Sequence, residues 1–159
     1  MSIDINLHDK QGECFLSEAN EILYGGAAGG GKSHLMRVKA IVLASQIPGI
    51  QLYLFRRQSE DILKNHFEGP GSFPDLLAPL VQSKFARIKY SPTKITFSNG
   101  SVINCSHCQL EKHKFNYQGA EIHVLMIDEL THFSESIYRY LRSRCRMCFV
   151  RFQSGRCWS

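Results

Sequence analysis

Apolar positions along the chain fall into short blocks separated by glycine, proline and polar runs. Residues 1–20 are polar and weakly patterned. The first block, Ile22-Leu23-Tyr24, stops at Gly25-Gly26-Ala27-Ala28-Gly29-Gly30-Gly31. Five glycines in seven residues exclude a stable helix interior or a good central strand, because glycine loses the most backbone freedom on ordering. This stretch predicts a loop with unusual backbone angles. From Lys32 to Ala44, Leu35, Val38, Ile41 and Val42 recur at helical spacing. Pro48-Gly49 closes that unit, and Leu52-Tyr53-Leu54-Phe55 reads as a β-strand. Strand, glycine loop, helix and strand over residues 21–56 make a βαβ unit. Such a unit predicts a parallel sheet with at least one covered face.

Beyond it, Ser59 is placed to cap a helix through Ile62 and Leu63, with Glu60 and Asp61 at the positive end of its dipole. Gly69 to Pro74 reads as a loop, and a short helix follows through Leu76 and Leu77. Ile95 and Phe97 alternate with polar residues, Asn99-Gly100 interrupts, and Val102 and Ile103 resume. That pattern predicts an antiparallel hairpin over roughly 93–105. Residues 106–120 read as loop. Val124-Leu125-Met126-Ile127 is the most apolar strand candidate, and it ends at Asp128-Glu129. A helix is predicted from Ser134 to Arg144, with Ile137, Tyr138 and Leu141 on one side, and a last strand over Phe149–Phe152. The expected fold is α/β: a mainly parallel sheet flanked by helices, with an antiparallel hairpin excursion.

Composition adds bounds. With 159 residues and 43% apolar content the chain can form one domain with a real core. No apolar run reaches the roughly 18 residues of a membrane span. Met1 to Asn6 carries an acid and lacks an apolar stretch, which excludes a signal peptide. A soluble cytoplasmic protein is expected, and its six cysteines are expected to be thiols. The net charge of +5 permits contact with nucleic acid without showing it.

Two motifs carry chemistry. Gly26-Ala27-Ala28-Gly29-Gly30-Gly31-Lys32-Ser33 matches the P-loop pattern, with a strand before it and a helix after it. Small residues let the backbone curl until its N–H groups face phosphate oxygens, together with the helix N-terminus. Lys32 can then reach the β and γ phosphates, and Ser33 can place its hydroxyl on Mg²⁺. In the second motif an apolar strand delivers Asp128 and Glu129 at its carboxyl end, where ligands of open α/β sheets bind. Asp128 is suited to hold Mg²⁺, and Glu129 to polarise an attacking water. A glutamate beside the metal aspartate favours hydrolysis coupled to movement over small-molecule phosphorylation. Cys105-x-x-Cys108 and Cys145-x-x-Cys148 also have the spacing of a Cys₄ zinc site, an alternative to isolated buried thiols.

The ordered set resembles the N-terminal packaging ATPase of the phage terminase large subunit over most of residues 15–146. Its pieces are the strand entering Gly25 to Ser33, Leu54-Phe55-Arg56-Arg57 and Phe97-Ser98-Asn99-Gly100-Ser101. Tyr117-Gln118-Gly119-Ala120-Glu121, Ile127-Asp128-Glu129-Leu130-Thr131-His132-Phe133 and Tyr140 to Arg146 complete it. The resemblance implies a P-loop NTPase fold using ATP and Mg²⁺ to translocate double-stranded viral DNA into a procapsid. It implies a homo-oligomeric ring on the portal protein, aided by a small terminase subunit, in the host cytoplasm without a membrane. Carried over, Lys32 and Ser33 hold nucleotide, Asp128 is the Mg²⁺ acid and Glu129 the catalytic glutamate. An arginine is expected to complete the site; Arg56 or Arg57 is the choice, while Arg142, Arg144 and Arg146 form a second basic cluster.

Whole terminases continue with a coupling motif and a nuclease domain, and nothing in residues 1–159 resembles either. The expectation is a shortened ATPase domain, incomplete in its sheet and without nuclease activity. Another nucleic-acid motor ATPase, a nonfunctional prophage remnant and a zinc-stabilised DNA-binding module are the alternatives.

Overall fold

Alternation along two central strands sets the architecture. In β6 (Ile122–Asp128), Val124 and Met126 face one side of the sheet while Leu125 and Ile127 face the other. In β2 (Gln51–Arg56), Leu52 and Leu54 share the first side, and Tyr53 and Phe55 the second. Both sides of these strands are covered, as parallel strands between helix layers require. The computed structural model describes residues 7–26 and 31–154. Ala27, Ala28, Gly29 and Gly30 of the glycine loop lie outside the described residues, as do 1–6 and 155–159.

Seven strands form one sheet in the order β1-β7-β6-β2-β5-β4-β3. They are β1 (Glu21–Gly26), β2, β3 (Ala86–Tyr90), β4 (Thr93–Phe97), β5 (Val102–His107), β6 and β7 (Cys145–Ser154). The pairs from β1 to β5 are parallel; β5–β4 and β4–β3 are antiparallel. One face carries α1 (Asp9–Leu16), α2 (Lys32–Gln46) and α4 (Phe73–Gln82), whose Leu35, Met36, Ile41, Phe73 and Leu77 pack on Leu52, Leu54, Ile103 and Met126. The other carries α5 (Glu135–Arg144), whose Ile137 and Leu141 pack on Leu125 and Ile127. Full burial of each such side chain contributes about 1.5–3 kcal/mol. The α/β fold, the βαβ unit and the hairpin excursion are therefore as expected. Among the described residues no helix is long and apolar enough to cross a membrane.

The Asn99-Gly100 turn has a second task. Gly100 adopts φ 87°, which suits glycine. Asn99 Nδ2 donates to the Ala44 carbonyl at 2.8 Å, and Ser101 Oγ donates to the Ile47 carbonyl at 2.7 Å. The hairpin tip thus satisfies carbonyls at the end of α2 that the helix cannot satisfy itself.

Several expectations need correction. The weakly patterned N-terminal stretch contains α1, held from outside: Lys39 Nζ donates to the Cys14 and Phe15 carbonyls at 3.1 and 3.3 Å. The cap of α3 (Ser59–Ile62) is Gln58, not Ser59, and a π-helical segment, Leu63–Phe67, follows it. The antiparallel excursion has three strands rather than two, because Ala86 to Tyr90 adds the edge strand β3. Arg87 and Lys89 there are charges of the kind that discourage edge-to-edge pairing. The span 106–120 is not simply loop: β5 runs to His107, and a 3₁₀ helix covers Glu111–Tyr117. Ser134 does cap α5, its Oγ accepting the Ile137 N–H at 3.2 Å.

The Cys₄ alternative fails on topology. Cys105 packs with the α2-side core, whereas Cys108 and Cys145 pack with the α5-side core. β2 and β6 lie between the strand of Cys105 and β7, where Cys148 pairs with Val124. Three strand spacings amount to roughly 14 Å, far beyond a shared tetrahedral ion. Burial raises the Cys105 thiol pKa strongly and pushes Cys108 up to about 11, keeping both neutral. Among the described residues no His, Cys, Asp or Glu group forms a metal cluster of three.

Candidate nucleotide site

β1 ends at Gly26, and α2 begins after Gly31, so strand and helix bracket the glycine loop as the sequence predicts. Gly31 is the N-cap of α2, at φ 69° and ψ 16°. Its carbonyl accepts a hydrogen bond from Gln11 Nε2 at 3.1 Å, while Gln11 Oε1 accepts the His8 N–H at 2.9 Å. A Cβ at Gly31 would run into the Gln11 amide. Gly31→Ala therefore combines left-handed strain with a clash. It should lower stability by about 1–3 kcal/mol, read as an earlier midpoint in chemical denaturation. An unchanged midpoint would show that Gln11 moves freely aside.

Lys32, the first residue of α2, is only 6% exposed, and the first turn holds no acid. A cation at the positive end of a helix dipole is on the wrong end for helix stability. A phosphate at that position would relieve both charges, because exposed N–H groups and Lys32 would both donate to it. Of the predicted loop, Gly26 ends β1, Gly31 caps α2 and Lys32 opens it. The positions of Ala27, Ala28, Gly29 and Gly30 lie outside the described residues.

The acidic strand reaches the same place through alternation. Asp128 continues the row of Val124 and Met126, toward α2. Ser33 Oγ lies 3.4 Å from Asp128 Oδ2 across 95 positions of sequence. Arg56 continues the row of Leu52 and Leu54, one residue past the last paired position, Phe55 with Ile127. Its Nε donates to Asp128 Oδ2 at 2.9 Å, and its Nη2 lies 3.9 Å from Glu129 Oε1. Arg57 is exposed and donates to the His132 carbonyl at 3.0 Å. Of the two candidate arginines, Arg56 is the one joined to the carboxylates. Arg142 and Arg146 instead pair with Glu21 and Glu121, and Arg144 lies over the Tyr140 ring.

Glu129 has φ 58° and ψ 60°, a left-handed conformation rare for a non-glycine residue. Such strain clusters at functional sites. Burial raises the Asp128 pKa, but the His66 hydrogen bond, the Arg56 charge and the Arg56 hydrogen bond outweigh it. The net shift is downward, and Asp128 is ionised.

Two residues not singled out from sequence complete this cluster. His66 is fully buried, and its Nε2 lies 2.9 Å from Asp128 Oδ2. Arg37 Nη1 lies 3.3 Å from His66 Nδ1 and donates to the Asn65 carbonyl at 2.8 Å, while Arg37 Nε donates to the Gly71 carbonyl at 2.7 Å. Burial lowers the Arg37 pKa to about 10, against the opposing pull of Asp128. Burial also lowers that of His66; Asp128 opposes this, and Arg37 and Arg56 add to it. A signal was available: Arg37 and Lys39 interrupt an otherwise apolar stretch of α2, so buried cations were to be expected there.

Ser33 and Asp128 are hard oxygen donors in close approach, the donor type that suits Mg²⁺ bound with water and phosphate. The combination of a helix N-terminus, Lys32, a Ser–Asp pair and Glu129 is chemically suited to hold a nucleoside triphosphate and attack it with water.

The comparisons agree with this architecture. The large terminase of a thermophilic bacteriophage superposes with a TM-score of 0.71 at 16% identity, over 92% of this chain and 38% of that one. The same protein in complex with ATP-gamma-S gives 0.66 at 15% identity, over 91% and 37%. The large terminase ATPase domain of Thermus phage P74-26 gives 0.72 at 15% identity, over 97% and 67%. The chain thus spans less than two fifths of the first of these proteins. No curated protein matches the sequence. The family described as terminase large subunit, T4likevirus-type, N-terminal, matches residues 23–147, from within β1 into β7 and so across both motifs. The chain belongs to that family of terminase large subunit N-terminal domains.

Proposed function

We propose that this chain is the ATPase portion of a terminase large subunit, binding and hydrolysing ATP to drive double-stranded viral DNA into a procapsid. The observation that carries this reading is the meeting of Ser33 with Asp128 beside a buried Lys32 at a helix N-terminus. Residues 26–33 cradle the phosphates, with Gly26, Ala27, Ala28, Gly29, Gly30 and Gly31 supplying backbone N–H groups and Lys32 a charge. Ser33 and Asp128 hold Mg²⁺, which when bound neutralises charge on the β and γ phosphates. Glu129 orients and deprotonates water. Arg56, joined to both carboxylates, is placed to sense what occupies them.

The thermophilic phage terminase complexed with ATP-gamma-S and with ADP supports nucleotide as the ligand. Residues 1–159 then correspond to a partial ATPase domain, and no nuclease role is assigned to them. In the whole protein the partners are the portal, the small terminase subunit and further copies in a ring, in the bacterial host cytoplasm. Calorimetric titration of the purified chain with Mg²⁺-ATP, with phosphate release followed with and without linear double-stranded DNA, tests this. Saturable binding near one site per chain is expected. A folded chain that takes up no nucleotide overturns the reading.

A further inference from the structure

We propose that His66 is a positioning residue that fixes the Asp128 carboxylate for Mg²⁺, and that Arg37 sets the ring tautomer on which this depends. The inference rests on the nucleotide reading above and concerns a residue that neither motif contains.

A guanidinium has five N–H donors and no acceptor. His66 Nδ1, facing Arg37 Nη1 at 3.3 Å, can therefore only accept. The ring proton must then sit on Nε2, which donates to Asp128 Oδ2 at 2.9 Å. The other tautomer makes both contacts repulsive: an N–H against the guanidinium and a lone pair against the carboxylate. A doubly protonated ring fails at Arg37 for the first reason. Oδ2 then collects donors from His66, Arg56 and Ser33 on one side. Of these, His66 is the one wholly enclosed, with its ring 6.1 Å from that of Phe73.

The backbone holding His66 is equally constrained. It lies in the π-helical turn Leu63–Phe67, and such turns are frequent at functional sites. Arg37 grips that turn through the Asn65 carbonyl and the following loop through the Gly71 carbonyl. Because Arg37 belongs to α2, the helix that begins at the P-loop, one rigid element positions both Ser33 and the residue that orients Asp128.

A pair of substitutions separates positioning from packing. His66→Gln places an amide nitrogen where Nε2 now is and keeps the donor to Asp128. His66→Asn reaches only the Nδ1 position and loses it. Mn²⁺ binding to the ADP-saturated chain, followed by electron paramagnetic resonance, is the readout. His66→Asn should weaken Mn²⁺ by about 10–100-fold, the usual effect of losing an outer partner of a metal ligand. His66→Gln should recover most of that. ¹⁵N NMR of the parent ring, assigned by its loss in His66→Gln, should place the proton on Nε2.

Equal Mn²⁺ affinity in parent and His66→Asn, equal losses in both variants, or a proton on Nδ1 would each overturn the assignment. The tautomer measurement does not use His66→Asn, so it decides even where that variant fails to fold. A parent chain that binds no Mn²⁺ with ADP would instead overturn the nucleotide reading.

Discussion

Glu129→Gln should lower ATP turnover by about 10²–10⁴-fold while Mg²⁺-ATP binding stays close to that of the parent chain. The substitution keeps the size of the side chain and removes its ability to accept a proton. It leaves Asp128 with its partners at Ser33, Arg56 and His66, so the metal position is preserved. The backbone is equally unaffected, because glutamine meets the same left-handed penalty at φ 58° as glutamate does. Glu129 is 20% exposed, so water can reach it, whereas Asp128 at 1% is shielded. Under the nucleotide reading proposed above, that difference gives water activation to Glu129 and metal holding to Asp128. Phosphate release under saturating ATP, with calorimetric titration alongside, separates turnover from binding. Turnover close to the parent's would place water activation on another residue. Loss of binding would mean that Glu129 holds the nucleotide complex rather than activating the water that attacks it.

Legibility from sequence followed the range of the interactions. The glycine loop, the helix after it and the Asp128-Glu129 strand end are each signalled within about ten residues; the strand and helix that bracket the loop, and the strand end, are found where the pattern puts them. The Asn99-Gly100 hairpin is local in the same way. α1 is different: its Gln11 and Cys14 are buried by contacts with Gly31 and with Lys39 on α2, so its own eight residues carry little pattern. β3 interleaves Ala86, Ile88 and an exposed Tyr90 with Arg87 and Lys89, and needs β4 beside it to be recognised.

The Arg56–Asp128 pair was within reach. Leu52 and Leu54 of β2 share the α2 face with Val124 and Met126 of β6, and continuing both rows puts Arg56 beside Asp128 once the strands are neighbours. Their adjacency, with β7 rather than β2 beside β1, is a tertiary fact. His66 was beyond reach for the same reason, since nothing within a few residues marks it as facing a carboxylate 62 positions away. The paired cysteines erred in the opposite direction. Regular spacing proposed a metal site, and alternation across the sheet puts Cys105 and Cys108 on opposite faces.

Lys32→Ala should reduce ATP affinity on the order of 10²-fold, through loss of a charge-assisted contact to phosphate. Lys32 lies buried at the first position of α2, where a phosphate would meet the helix N-terminus. The variant should therefore show no rise in melting midpoint on adding Mg²⁺-ATP. The parent should show that rise, since a ligand that binds only the folded state stabilises it. That difference distinguishes a residue kept for phosphate from one kept only for the fold. A variant that melts much earlier would make Lys32 a structural residue of α2. One that retains ATP affinity would remove it from the phosphate site.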